Sequence, residues 1–343
     1  MPQTQAVKTF YTDNEKRGRV GHTIREYMGF FDESNGGGIE ARKAQYATMI
    51  NNYYDVVTDF YEHGWGQSFH FASRAEGESF EASLARAEHY LALQLGLKAG
   101  MKVLDVGCGV GGPMRSIARF SGASLEGVNN NDYQLEKVKS HNEKAGLGHL
   151  CSGFKGDFMN LQVPDQFYDA AYQIEATCHA PDKAGAFSEI HRALKPGALF
   201  AGYEWCMTDE FDPNDSQHQE IKLEIETGDS LPDIASIPET IQALETAGFE
   251  VIHSFDAATT SDPETPWYLP LLGESSSLLG IRRGRLGRRI ARRTIGGLEA
   301  LGIAPKGSKE VSQMLGRAAE GLIAGGEAGI FTPSYFFLAQ RKA

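Results

Sequence analysis

The sequence predicts an α/β fold built on a mostly parallel, seven-stranded sheet with a helical cap before it and a lid insertion near its end. Three observations carry that expectation. Val103, Leu104 and Val106 form a short apolar run of the kind needed by a strand covered on both faces. The run breaks at once into Gly107, Gly109 and Gly111, which suit a turn whose backbone lies against a ligand. A helix pattern follows, with Met114, Ile117 and Ala118 on one side and Arg119 at the end, and similar strand and helix segments then alternate as far as Phe255.

Taken in order, residues 1 to about 45 are polar and end in Asn35-Gly-Gly-Gly-Ile39, which reads as an arm or cap. From Ala41 to Phe60, Tyr46, Met49, Ile50, Tyr53, Tyr54, Val57 and Phe60 recur at helical spacing, so one amphipathic helix is expected there. Phe60 to Phe71 gathers five aromatics, two histidines and a carboxylate around two glycines, and fits neither period. A bent pocket wall suits it, with an aromatic mini-core under a loop as the plainer alternative. A helix near Ser83–Leu95 leads into the first strand.

The second strand is expected at Ser124–Val128, and Asp132 is read as the N-cap of a helix from Tyr133 to Ala145 or as a ligand contact. Phe154–Phe158 closes the third strand and Tyr168–Ile174 forms the fourth. Glu175 and His179 follow it, four apart and able to share a helix face, at the strand end where such sheets bind ligands. Lys183–Leu194 is a helix, Leu199–Trp205 the fifth strand, Ile237–Gly248 a glycine-ended helix and Phe249–Phe255 the sixth strand. An insertion over about 256–330 precedes a last strand at Tyr335–Ala339, and its length marks it as part of a lid. The corresponding division is 1–80 for the arm and aromatic segment, 81–255 for the core and 256–343 for the C-terminal region.

Composition narrows the functional classes. Hydrophobic content of 41% and 10% aromatic residues exclude a disordered chain. Apolar runs fall far short of the ~20 residues a membrane span needs, and the polar N-terminus does not read as a signal peptide, so a cytosolic protein, in solution or on a membrane surface, is expected. Cys108, Cys151, Cys178 and Cys206 show no metal-ligand spacing and read as reduced, packed side chains. A net charge of −12 makes nucleic acid an unsuitable partner. Within that acidic chain, seven arginines stand at 282, 283, 285, 288, 289, 292 and 293, with Ile281, Leu286 and Ile290 interleaved. They suit a basic amphipathic helix on anionic lipid and equally a solvated face paired with the chain's own acids.

The glycine turn is specific in its spacing. Asp105-x-Gly-x-Gly-x-Gly differs from the dinucleotide pattern Gly-x-Gly-x-x-Gly, and no Lys-Ser/Thr follows, which excludes a P-loop. This Rossmann-like unit resembles motif I of class I S-adenosylmethionine (AdoMet) methyltransferases. The resemblance implies AdoMet as methyl donor, Gly107, Gly109 and Gly111 admitting its amino-acid part and Asp105 organising the ammonium. It also implies ribose contacts at Asn129, where the family has an acid, with Gln134 a turn later, and adenine contacts at Asp157 and Phe158. Glu175 is a further cofactor candidate.

Tyr61-Glu-His-Gly-Trp-Gly-Gln-Ser-Phe-His-Phe71, Asn129 to Gln134, Ile174 to Pro181, Tyr203-Glu-Trp205 and Ile330-Phe-Thr-Pro333 together look like the sterol 24-C-methyltransferase family, with His63 in place of a usual tyrosine. That resemblance implies methylation at C24 of a Δ24 sterol of the cycloartenol or zymosterol kind. A C25 cation, a hydride shift and loss of a proton from the new methyl would follow. Tyr61, Trp65 and Phe69 are then aromatic candidates for stabilising the cation, and Glu62, His70, Glu175 and His179 are candidate bases or hydroxyl contacts. No metal is implied. The expected location is cytoplasmic and peripheral on endoplasmic reticulum or lipid-droplet membrane, with homo-oligomerisation left open. Sister lipid and small-molecule methyltransferases of the tocopherol, phosphoethanolamine or cyclopropane type share motif I, but the 60–71 segment and the C-terminal extension favour a sterol.

Overall fold

The computed structural model describes residues 14–273 and 284–342. Seven strands, β1 (Lys102–Val106), β2 (Ser124–Asn129), β3 (Cys151–Lys155), β4 (Tyr168–Ile174), β5 (Leu194–Met207), β6 (Phe249–Asp256) and β7 (Phe331–Arg341), form one sheet in the order β3-β2-β1-β4-β5-β7-β6. The first five are parallel, and β7 runs antiparallel between β5 and β6. Chain order reverses between β1 and β4, which makes the carboxyl ends of these two strands the place for a ligand.

The apolar strand residues are buried from both sides. Val103 and Leu125 pack with Leu91 of α4 (Phe80–Gln94), Met114 and Ile117 of α5 (Gly112–Ser121) and Val138 of α6 (Asp132–Lys144). On the other face Leu104, Val106 and Val128 meet Phe187 and Ile190 of α7 (Lys183–Ala193) and Leu244 of α9 (Ile237–Thr246). All four cysteines are free and buried.

Several boundaries differ from the expectation, each for a local reason. The helix expected over Ala41–Phe60 is two, α2 (Ile39–Ala44) and α3 (Tyr46–Gly64), broken at Gln45. α3 continues through Tyr61 to Gly64, because Glu62 on its outer side is held by Lys137 and His141 of α6, leaving only the part after Gly64 irregular. His63, the departure from the family pattern, faces solvent. The N-cap of α6 is Asn131, not Asp132: its side chain accepts from the Gln134 amide at 2.9 Å and is itself held by Asn51 and Asp55 of α3. Asp132 pairs with Lys155 instead. β3 ends at Lys155, so Asp157 and Phe158 lie beyond it. Glu175 and His179 share no helix face, since Glu175 has a left-handed backbone (φ 54°) and His179 ends a 3-10 turn over Thr177–His179.

The N-terminal arm is packed down. Val20, Ile24 and Tyr27 of α1 (Asn14–Gly29) share a cluster with Met49, Tyr53 and Val57 of α3. Arg42 of α2, only 2% exposed, reaches Glu226 of α8 (Ser216–Asp229) at 2.9 Å and the Pro232 carbonyl at 2.9 Å. The insertion folds into α10 (Leu269–Leu272), α11 (Arg285–Ala300) and α12 (Ser308–Glu327), the last against α8 and α1. Arg282 and Arg283 lie outside the described residues. No described helix is long and apolar enough to cross a membrane.

α8 and α12 touch through Gly228, where an added Cβ would stand 2.2 Å from the Cβ of Ala318. Gly228→Ala should therefore lower stability by about 1–3 kcal/mol through overpacking. Thermal unfolding followed by circular dichroism checks this, and an unchanged midpoint would refute the close approach.

Candidate active site

The glycine turn after β1 is a tight loop with open space above Gly109. Gly107, Gly109 and Gly111 all take positive φ (75°, 52° and 79°), a region L side chains rarely adopt. A Cβ on Gly107 would lie 2.5 Å from that of Ala176, so the loops after β1 and β4 approach closely, whereas Gly109 has only Phe69 within 4 Å. Beneath the turn, Asp105 is buried, and its Oδ2 has no hydrogen-bond partner among the described residues. Burial pushes its pKa up to about 7, with the neighbouring Tyr172 hydroxyl acting in the opposite direction.

The remaining cofactor candidates cluster at the ends of β2 and β3, but several are already engaged. Asn129 Nδ2 donates to the Gly109 carbonyl (3.0 Å) and to Gln134 Oε1 (2.8 Å), and its Oδ1 accepts from the Asn131 amide (2.9 Å). Gln134 donates onward to Thr58 of α3 (3.1 Å). Asn129 therefore fixes the glycine turn and offers a ribose only a carbonyl lone pair. Asp157 accepts from Tyr46 of α3 and from the Met159 amide (2.8 Å), keeping acceptor capacity for an exocyclic amine, and half-buried Phe158 packs beside it. A glycine cradle, an unpaired buried carboxylate for the ammonium and a second carboxylate for the adenine amine fit AdoMet.

Adjoining this turn is a cleft open to solvent. Its cavity volume is about 240 Å³, close to the lower end, ~300 Å³, of common small-molecule sites. Tyr54, Tyr61, Trp65, Phe69, Phe71 and Trp205 supply aromatic walls, and Leu271, Ala291, Ile295, Leu315 and Leu322 supply an aliphatic roof from the insertion. Tyr61 and Phe69 pack edge to face at 5.4 Å, as do Trp65 and Phe71 at 5.0 Å. Phe69 thus belongs both to the cleft and to the space above Gly109, which joins the two sites.

The titratable candidates divide sharply. Glu62 turns away from the cleft and carries the α3–α6 ion pairs. His70 borders the cleft, but its Nδ1–H donates to the Phe71 carbonyl (2.7 Å) and its Nε2 meets Glu88 (3.2 Å). Burial disfavours a charge there, yet the Glu88 and Glu175 carboxyls outweigh it and raise the His70 pKa, and with both ring nitrogens engaged neither is a free base. His179 is pushed down to about 4, chiefly by burial, and is neutral. Its Nδ1–H donates to the Ser230 carbonyl (3.0 Å), so Nε2 accepts from Tyr54 (3.0 Å).

Glu175 lines the cleft with its Oε1 accepting from the Phe71 amide at 2.7 Å and its own amide donating to the Tyr203 carbonyl at 2.8 Å. Burial drives its pKa up to about 8, while His70 and the Phe71 N–H oppose the rise. Across the cleft stands a residue that sequence reasoning missed. Asp229, 9% exposed, accepts from Tyr61 at 3.2 Å through Oδ1, while its Oδ2 has no partner among the described residues. Burial raises its pKa to about 7, with the Tyr61 and Tyr53 hydroxyls holding it back. Of the three described non-glycine residues with positive φ, one is Glu175 and another is Ser230, next to Asp229. Backbone strain is thus held where the two carboxylates converge.

Such a site, with a donor cradle at the strand-order reversal and a second cleft opening onto it, defines a class I AdoMet-dependent methyltransferase, and a methyltransferase-domain family model matches residues 104–202. Solved structures agree in fold: the cyclopropane synthase MmaA2 from Mycobacterium tuberculosis has a TM-score of 0.66 at 16% identity, covering 85% of this chain and 96% of its own. Geranyl diphosphate C-methyltransferase from Streptomyces coelicolor A3(2) has 0.62 at 15%, covering 86% and 98%. Family membership comes from closer relatives. The model for the sterol methyltransferase C-terminal region matches residues 278–342. Cycloartenol-C-24-methyltransferase 1 of Oryza sativa subsp. japonica is 53% identical over 92% of this chain and 90% of its own length. The sterol 24-C-methyltransferase of Saccharomyces cerevisiae is 46% identical over 93% and 85%. The chain belongs to the sterol 24-C-methyltransferase family, and AdoMet is its methyl donor.

The buried Asp105 carboxyl sets a pH test. A cationic ammonium above it favours the ionised form, so AdoMet affinity should fall about tenfold per unit as pH drops below 7. Calorimetry from pH 5 to 8 measures the slope. Asp105→Asn should bind more weakly with the slope flattened, and an unaltered slope would remove Asp105 from that role.

Proposed function

We propose that this protein transfers a methyl group to C24 of a Δ24 sterol, at a membrane surface in the cytoplasm such as endoplasmic reticulum or lipid droplet. The observation that carries the reading is the pair of buried carboxylates, Glu175 and Asp229, without a Lys or Arg partner among the described residues, in an aromatic cleft opening onto the glycine turn. A cleft of this kind suits a hydrocarbon substrate that becomes positively charged during reaction. Neither carboxylate is needed to activate an alkene, which is already a nucleophile.

When bound, AdoMet would supply an electrophilic methyl carbon; the electron pair of the sterol alkene would form the bond to C24 as the carbon–sulfur bond breaks, leaving a cation at C25 and releasing S-adenosylhomocysteine. The faces of Tyr61, Trp65 and Phe69 stabilise that cation without being alkylated, and Glu175, whose pKa burial holds at about 8, gains a negative charge only as a cation beside it favours the ionised form. Migration of hydride from C24 to C25 moves the charge to C24. The C–H bond of the new methyl then breaks, its electron pair forms the 24-methylene double bond, and the proton passes to Asp229. Its unpartnered Oδ2 and a pKa of about 7 suit a proton acceptor at neutral pH. Tyr61 holds the other oxygen in place.

The defining experiment is product mass spectrometry with methyl-labelled AdoMet and cycloartenol, zymosterol and desmosterol, alongside phosphoethanolamine and an unsaturated phospholipid. Label at C24 of a sterol is expected, and label confined to the other acceptors would overturn the reading. Asp229→Asn should lower kcat by about 10²–10³-fold, in the range of a lost general base, with AdoMet affinity unchanged. In the wild type kcat should climb with pH up to about 7 as Asp229 ionises. Retention of wild-type kcat in Asp229→Asn would assign the base elsewhere.

A further inference from the structure

α11 has two unlike faces. Its inner face brings Arg288, Ala291 and Ile295 to the cleft. On the outer face Leu286 and Ile290, one turn apart, are 64% and 55% exposed, and Leu301 and Ile303 in the following turn are 75% and 58% exposed. Arg285 and Arg288 are held by Glu320 at 3.1 and 2.6 Å. Arg289, Arg292 and Arg293 are exposed and make no ion pair among the described residues. Large aliphatic side chains pointing into water beside unpaired guanidiniums match a boundary that is anionic at its surface and apolar beneath.

We propose that the outer face of α11 docks on an anionic lipid bilayer, Leu286, Ile290, Leu301 and Ile303 entering the headgroup–acyl boundary while Arg289, Arg292 and Arg293 pair with lipid phosphates. Charge supports this occupant and sets its orientation. The whole chain carries −12, so an anionic surface repels most of the molecule and attracts this helix. Nucleic acid would neutralise the arginines but leave the aliphatic side chains in water. Because the inner face of the same helix roofs the cleft, docking sets the roof against the leaflet, and a lipid substrate passes from leaflet to cleft without crossing water. This delivery step rests on the sterol reading above; the docking itself does not.

The test uses the full chain in two forms, Leu286→Ser with Ile290→Ser, and Arg289→Glu with Arg293→Glu. None of these residues lines the cleft. Flotation is measured with phosphatidylcholine vesicles with and without phosphatidylserine, and turnover is measured with the same sterol supplied in vesicles or from cyclodextrin. Wild type should float only with phosphatidylserine present, and each variant should lose about tenfold or more of that binding. Turnover of vesicle sterol should fall in parallel while cyclodextrin-delivered turnover stays within about twofold, because delivery and not chemistry is affected. Unchanged flotation would overturn the docking, as would variants that alter only the sedimentation of a self-associated species. Equal loss of both turnovers would overturn the delivery step. Vesicle binding by a wild type that methylates no sterol from either source would refute the sterol reading and leave the docking standing.

Discussion

The site depends on burying two carboxyl groups that have no direct Lys or Arg partner among the described residues. Removing a charge from water is expensive unless it is paired, and here Glu175 and Asp229 respond by shifting up to about 8 and about 7. Lys183, a buried ammonium that follows the β4 end, is committed to Glu204 at 3.2 Å. The missing positive charge is what the substrate develops as it reacts. The aromatic faces around the cleft are fixed in advance and need no reorganisation at the moment the cation forms. Ground-state instability of the empty cleft and stabilisation of the charged intermediate have the same origin.

Holding those carboxylates in place takes most of the additions to the central sheet. The turn bearing Asp229 is gripped by the N-terminal arm: Tyr27 donates to the Thr227 carbonyl at 2.5 Å, Tyr53 to that of Gly228 at 2.7 Å, and Arg42 anchors Glu226 and Pro232. α3 serves both sites at once. Its Tyr46, Asn51, Asp55 and Thr58 bond the elements expected to hold the cofactor, and its Tyr54, Phe60 and Tyr61 line the cleft. The insertion closes the far side with aliphatic side chains from α11 and α12. Arm and insertion therefore exclude water from opposite directions around one charged centre.

Much of this was legible in the chain because it is encoded locally. The β1 apolar run, the glycine spacing after Asp105 and the β4 end carrying Glu175 are short patterns contained in a few consecutive residues, and the parallel sheet follows from them. The cleft aromatics of Trp65 to Phe71 stood out through composition. Asp229 did not, because Glu-Thr-Gly-Asp-Ser reads as an exposed polar turn; its burial comes from Tyr27, Tyr53 and Tyr61, residues remote in sequence. The same remoteness misdirected Glu62, whose partners Lys137 and His141 are brought to it only by folding. For Asn131 over Asp132 as the cap of α6, the deciding bonds come from α3. One signal was available in hindsight: α8 ends at Asp229 without a glycine, forcing Ser230 into the left-handed region.

The central claim is that the cleft is complementary to a cation at the end of the sterol side chain. Calorimetry on a matched pair tests it most directly: a sterol with an amine nitrogen at C25, protonated at neutral pH, against the neutral carbon analogue, each with S-adenosylhomocysteine present. The account predicts that the cation binds about 100-fold or more tightly, as expected of a mimic of the charged intermediate, and that Asp229→Asn with Glu175→Gln removes most of the difference. Equal affinity for the two analogues would contradict it.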